Sequence, residues 1–566
     1  MHMTDITGAP FLLDKERADW VYRTLAGMSV EEKIGQLFVP IGYSTDREYL
    51  KNELLRYGIG GLFFRDGPAA EMQETFSFAQ SVSKIPLLIP SNLEAGGDGA
   101  ATDGTSYGKQ MAAAAAGEGI FARRLAKVSC SEAAALGINW AFAPVADIDL
   151  NPHNPITNVR TYGSNPEDVL EYVLEYIKGA GESGVAACVK HFPGDGVDER
   201  DQHLLTSVNS LSVEEWMNTY GKIYKGVIRA GVMSIMAGHI ALPACEKANS
   251  GDGGALDRII PATLSGCLVR KLLREELGFN GLVISDATPM VGFTSAMDRK
   301  TAVPLCIENG CDMFLFNKDL AEDYHFMLEG YNSGILSPER LEEANLRILA
   351  FKAALRLPEK QAAGELVPGR KALAVIGNSE HIRWSRELAD RSITLVKDTA
   401  GNLPLRAEQT PRVLLEILGS FSSNERVQNT FCRELEKRGF SVTVYEPEDF
   451  QSGVDTVASF RSKYDLVLYV GNVENASNKT TNRIDWYTFW GSGNNVPWFA
   501  REIPVVFVSL ANPYHLLDVP MIRTYINAYS NNDRVIECVV GKLTGESAFQ
   551  GQSPVDPFCG REELRF

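Results

Sequence analysis

The hydrophobic positions of this chain fall into short continuous runs separated by polar junctions and by longer stretches of helical period. From residue 34 the runs are 34–42, 58–65, 86–94, 139–148, 184–193, 232–240, 281–287 and 313–317, eight in all. Between them, segments such as 118–136, 166–181, 213–230 and 262–277 space their apolar residues three and four apart with few breakers, as a helix with one buried face does. Strands that are apolar at nearly every position are covered on both faces, which is the condition of a parallel sheet. Eight of them alternating with helices predict an α/β fold. The arrangement is a (β/α)8 TIM-type barrel or a variant with one reversed strand, with two unrelated doubly wound sheets as the competing arrangement.

The barrel pattern ends with a predicted helix over 338–357. Residues 358–370, with their prolines and glycines, then read as a linker. A second alternating series, 372–376, 413–418, 442–444, 466–470 and 505–510, predicts a smaller α/β sandwich. The expected division is therefore a catalytic barrel over 1–357, a linker over 358–370 and a C-terminal sandwich over 371–566. Ile376-Gly-Asn-Ser follows the first run of the second series, but no Gly-x-Gly-x-x-Gly continues it, which argues against a dinucleotide site.

Composition narrows the partners. At 566 residues the chain is too long for one core. A net charge of −17 without a basic cluster argues against nucleic acid and against anionic membrane surfaces. No window reaches the roughly 18 apolar residues of a membrane helix and the N-terminus lacks a signal pattern, so a cytoplasmic location is expected. The nine cysteines are odd in number and scattered, and read as reduced core thiols. No Cys/His spacing suggests a metal, and no cofactor is expected. A homo-oligomer is compatible with all of this.

A parallel barrel keeps its chemistry at the C-terminal ends of its strands. Here those ends carry Arg65, Asn92, Glu94, Asp147, Asp149, Lys190, His191, His239, Asp286, Asn317 and Lys318. The run 184–193 delivers Lys190 and His191, and Pro193, Gly194 and Gly196 then force a turn. Asp201 and His203 follow two positions apart, where a carboxylate can fix an imidazole's tautomer and raise its basicity. Singly, each has an ordinary reading as a rim ion pair or a solvated loop residue. Together they are harder to dismiss.

Lys190-His-Phe-Pro-Gly-x-Gly-x(4)-Asp-x-His203, with Val-Ile-Ser-Asp286, resembles glycoside hydrolase family 3, in particular its β-N-acetylglucosaminidase branch. Asn151-Pro-x-Asn-Pro, Arg160-Thr-Tyr-Gly-Ser, Met236-Ala-Gly-His-Ile and Gly545-x(5)-Gly-x-Ser-Pro-Val555 resemble further family segments in the expected order. The resemblance implies a double displacement at an anomeric carbon. Asp286 would attack to form a glycosyl ester, with His203 as acid/base and Asp201 as its partner. Lys190, His191 and Arg160 match positions that hold sugar hydroxyls. Asn92, Asp147 and Met236 are expected beside them as substrate contacts.

An imidazole, with a reference pKa of about 6.5, suits proton donation and return near neutrality. It also changes the second half-reaction. A spent carboxylic acid is negative and repels an anionic acceptor; two unit charges about 4 Å apart differ by about 4 kcal/mol at an effective dielectric of about 20. A spent imidazole is neutral, so inorganic phosphate is expected as a co-substrate, giving a sugar 1-phosphate. Hydrolysis by His-activated water uses the same residues and is the alternative. A sugar-binding protein that has lost the reaction is a second one, disfavoured by the intact Asp286, His203 and Asp201. Metal-assisted hydrolysis lacks a ligand cluster.

Three features depart from the family pattern. Asn92 stands where an aspartate is usual, and the Glu-Gly-Gly that follows in the family lacks its arginine here. Asp195 replaces the usual His or Asn of the Pro-Gly-x-Gly turn. Gln202 replaces the usual Ser between the dyad residues. In the second domain Glu474 is the rival for a Glu acid/base, ranked below His203, and the aromatic segment 486–490 is a candidate cover for the mouth, with core burial as its ordinary reading.

Overall fold

The structure is a computed structural model that describes residues 4–249, 259–419, 422–445, 456–486 and 496–566. The chain divides into two compact units. One comprises residues 1–107, 122–151 and 166–381, the other residues 108–121, 152–165 and 382–566.

The first unit is a closed parallel barrel. Its regular strands are β1 Phe38–Val39, β2 Pro90–Ser91, β3 Trp140–Ala141, β4 Ala186–Phe192, β6 Ser234–Ala237, β8 Leu282–Ser285 and β9 Phe314–Leu315, while β5 Ser207–Val208 and β7 Ile240–Ala241 form a small parallel ladder of their own. β2, β3, β4, β6 and β8 are successive neighbours, all parallel. Met313 bridges Ile284 and β9 pairs with β1, again parallel. Residues 61–63 supply the remaining stave, through parallel bridges from Ile41 to Phe63 and from Gly61 to Leu88. Each of the eight apolar runs thus contributes one stave, none reversed.

Trp140, fully buried, makes edge contacts with Phe142 and Phe351 and donates from Nε1 to Ser234 Oγ at 2.8 Å. The covering helices start where the sequence offers caps. Ser29 and Glu32 form a reciprocal capping box, and Ser337 caps the helix Pro338–Ala354, whose first residue is proline. The helix predicted over 213–230 is two helices, Val213–Asn218 and Tyr220–Arg229, broken at Thr219. The segment expected as a linker contains the helix Leu357–Ala363.

In the second unit five parallel strands lie in the order β12-β11-β13-β14-β15, and β10 adds antiparallel to β15 at one edge. The strands are β10 Thr394–Asp398, β11 Arg412–Leu418, β12 Ser441–Val444, β13 Leu466–Gly471, β14 Val505–Ser509 and β15 Thr524–Asn527. Alternate residues feed two cores. Val413, Leu415, Leu468 and Val508 face the helices Asn424–Glu436 and Asp533–Leu543, while Leu414, Tyr469 and Phe507 join Phe460, Phe499 and Trp486 on the other face. The run 372–376, expected as a strand, is instead part of a 3₁₀ turn, Arg370–Val375. An apolar run this short has no periodicity to fix its type. β10 and β15 were not foreseen.

Residues 152–165 are bound into this unit by asparagines. Asn482 donates to Pro155 O at 2.9 Å, Asn475 to Ile156 O at 3.0 Å, and Asn512 to Asn482 O at 3.0 Å. Ser164 N donates to Pro554 O at 3.2 Å, so two of the family-like motifs meet here. Among the described residues no helix is long and apolar enough to cross a membrane, and all nine cysteines are free.

Candidate active site

β4 is buried along its whole length and ends by delivering two ionisable side chains. Lys190 Nζ lies 2.6 Å from Glu94 Oε1, so its charge is held by the end of the neighbouring stave. His191 is oriented by Asp147. Its Nδ1 is 2.7 Å from Asp147 Oδ2, and its backbone N–H reaches Asp147 Oδ1 at 3.2 Å. An ionised carboxylate only accepts, so Nδ1 carries the proton and Nε2 faces Asp286 Oδ2 at 4.0 Å. Asp147 Oδ1 also accepts from Asp195 N at 2.8 Å. Expected as a substrate contact, Asp147 is engaged with the protein through both oxygens, and its visible work is to orient His191.

Asp286 follows β8. Its backbone N–H donates to Ala237 O at 2.8 Å and its Oδ1 accepts from Ala287 N at 2.7 Å. Burial, the largest influence, pushes its pKa upward. The charges of His191, His239 and His203, with the Ala287 N–H, outweigh burial and leave it below the ordinary carboxylate value. Asp286 is therefore an ionised carboxylate whose side chain keeps 12% exposure.

Asp201 and His203 are bonded to each other. His203 Nδ1 is 2.6 Å from Asp201 Oδ1, and His203 N donates to the same oxygen at 2.9 Å. The Asp201 side chain is fully buried while that of His203 is 23% exposed. His203 O accepts from Val291 N at 3.0 Å, tying the loop to the segment after β8. His239, a strand-end residue to which the sequence assigned no role, is buried. Its Nε2 bonds Ala287 O at 3.0 Å and its Nδ1 bonds Thr263 Oγ1 at 2.9 Å. Burial lowers its pKa.

The barrel unit thus brings together Asp286, His203, Asp201, Lys190, His191 and Asp147. Met236 is buried within β6, opposite Ile284 of β8, and Asn92 is exposed just after β2. Arg160 ends a 3₁₀ turn, Asn158–Arg160, in the second unit, with Nη1 3.4 Å from Ile156 O. There too Asn531 donates to the Glu474 carboxylate. Of the aromatic segment 486–490, only Trp486 is described. It packs in the sandwich core, and 487–490 lie outside the described residues. Among the described residues no group of three or more His, Cys, Asp or Glu could hold a metal ion.

A parallel barrel with an ionised carboxylate at one strand end and a carboxylate-oriented histidine on a neighbouring loop defines an enzyme equipped for nucleophilic and acid–base chemistry. The model of the glycosyl hydrolase family 3 N-terminal domain matches residues 29–351, and the chain belongs to that family, a glycosidase or phosphorylase acting on glycosidic bonds. It is 45% identical over 567 aligned residues, 99% of both chains, to a β-N-acetylglucosaminidase/β-glucosidase of Cellulomonas fimi. Among solved structures it is similar to the β-glucoside phosphorylase BglX, at 40% identity over 100% of both chains with a TM-score of 0.94. A family 3 β-N-acetylglucosaminidase from Paenibacillus, 24% identical with a TM-score of 0.79 over 94% of this chain and 99% of that one, shares the fold.

Proposed function

We propose that this enzyme cleaves β-glucosides or β-N-acetylglucosaminides from the non-reducing end and passes the sugar to inorganic phosphate. Asp286 attacks the anomeric carbon as the bond to the leaving oxygen breaks, and His203 gives that oxygen its proton. Phosphate then attacks the glycosyl ester and Asp286 departs, yielding a sugar 1-phosphate of retained configuration. Lys190 and His191 hold the sugar hydroxyls, with Asn92 and Met236 at the edge of the site. The domain division over 1–357 and 371–566 and a cytoplasmic setting, which suits nine free thiols, belong to the same reading.

The observation that carries it is the dyad. A proton donor that is an imidazole on a fully buried aspartate leaves no new negative charge in the path of phosphate once the proton is given. The likeness to a β-glucoside phosphorylase along the whole chain supports the same choice. Hydrolysis is the second reading, favoured by the name of the Cellulomonas relative, with neutral His203 activating water. Turnover of an aryl β-glucoside and of an aryl β-N-acetylglucosaminide, followed by phosphorus and proton NMR with and without phosphate, decides between them. The expected product in phosphate is the β-sugar 1-phosphate, and free sugar as sole product in both conditions overturns the proposal.

A further inference from the structure

Two of the residues that depart from the family pattern are bonded to each other. Gln202, buried between the two members of the dyad, donates from Nε2 to Asp195 Oδ2 at 3.3 Å, and its Oε1 accepts from His239 N at 2.9 Å. Asp195 is in turn fixed on every side. Its N–H donates to Asp147 Oδ1 at 2.8 Å, its Oδ1 accepts from Gly196 N at 2.7 Å, and its carbonyl accepts from the Tyr220 hydroxyl at 2.6 Å. One amide side chain therefore spans the turn after β4 and the end of β6, the two staves on either side of the dyad loop. A serine at 202 has a single oxygen and two fewer side-chain atoms along its length, and could not reach both.

We propose that Gln202 and Asp195 are a positioning pair that holds the dyad loop against the barrel rim and so sets His203 for proton transfer to the leaving oxygen. This rests on the reading of His203 as the acid/base. The pair touches no substrate and acts only through the residues on either side of Gln202. The rest of the loop is stapled as well: Asn209 Nδ2 donates to Gly194 O at 3.0 Å, Thr206 Oγ1 to Gly292 O at 2.9 Å, and β5 pairs with β7. Loss of Gln202 therefore loosens the dyad without unfolding the loop. A misplacement of about 1 Å at a reacting group lowers rate by up to about a hundredfold.

The test uses the leaving group. A dinitrophenolate departs without a proton, whereas an alcohol or a second sugar needs one, and kcat/KM reports formation of the glycosyl-enzyme. Gln202→Ala should lower kcat/KM by roughly 10- to 100-fold on a disaccharide and by less than about threefold on the dinitrophenyl glycoside. Asp195→Ala should do the same, the double variant should be no worse than either single one, and Asp195→Asn, which keeps only one of the two acceptor oxygens, should restore part of the loss at most. Circular dichroism and thermal melting check that each variant is folded, and Gln202→Ser serves if the alanine variant is not. Equal losses on both substrates, or additive losses in the double variant, overturn the pairing. His203→Ala is the control. If it shows no leaving-group dependence, the acid/base reading falls and takes this inference with it; if it does and Gln202→Ala does not, only the pairing falls.

Discussion

β8 is bracketed by two buried carboxylates, each surrounded by three basic side chains, and the two clusters are built in opposite ways. At its start, Asp312 Oδ2 accepts from Val283 N at 2.8 Å and from Arg274 Nη2 at 2.7 Å, while Oδ1 takes Arg340 Nη2 at 2.6 Å and Arg347 Nη1 lies at 3.6 Å. At its end, Asp286 has His191, His203 and His239 around it, and His191 Nε2 stands back at 4.0 Å. In both, burial pushes the pKa up most and the surrounding positive charge more than reverses it. A lowered pKa therefore does not tell a reactive carboxylate from a structural one. What separates them is how the bases are held. The guanidiniums are permanently charged and close directly on Asp312, whose side chain is fully buried. The imidazoles are turned by partners of their own, Asp147, Asp201, Thr263 and Ala287.

This contrast can be broken at either end. Asp286→Ala should lower turnover of an aryl glycoside by on the order of 10⁴-fold or more with an unchanged melting profile, and azide should partly restore it by giving the α-glycosyl azide; a variant that retains turnover sinks the nucleophile assignment. Asp312→Ala leaves the buried Arg274 and Arg340 guanidiniums without their nearest counter-ion, while Arg347 keeps Glu343 at 2.7 Å, and should cost about 3–5 kcal/mol of barrel stability in urea unfolding, with activity per folded molecule little changed. Because the folded pKa of Asp312 is lowered, its stabilisation is present above the unfolded carboxylate value of about 3.9 and is lost as pH falls through the folded value. The smallest effect is a shift in a profile. His191→Gln should move the acid limb of kcat/KM on the dinitrophenyl glycoside to higher pH, because the depressed pKa of Asp286 loses the most important of the charges that lower it. An unmoved limb would assign that role to His203 and His239 instead.

Much of this was legible in the sequence because both faces of the barrel strands are covered. Residues such as Val189, Ile235 and Ile284, buried in β4, β6 and β8, make each stave a continuous apolar run, and the first polar residue after it is then conspicuous. Lys190, His191 and Asp286 were found in this way. The partners that set their chemistry were not, since a run ends on a residue without saying what that residue meets. Glu94 meets Lys190, Asp147 meets His191, and Gln202 meets both Asp195 and His239, each across loops whose shape no local pattern encodes. The 3₁₀ turn over Arg370–Val375 shows the same limit: Gly377 N, just beyond it, bonds the buried Glu132 carboxylate, a residue far earlier in the chain. Asp195 and Gln202 did carry a signal, as two departures from a motif separated by seven residues. Only their contact shows that they belong together.

The interleaving of the chain limits how this enzyme can be cut. A stop codon placed after residue 381 would remove Asn475, Asn482 and Pro554, and with them the donors and the acceptor that engage Pro155, Ile156 and Ser164. Those carbonyls and amides would then have to be solvated or paired anew. An autonomous barrel derived from this gene would need its stretches 108–121 and 152–165 redesigned along with the deletion, and simple excision is expected to yield insoluble protein.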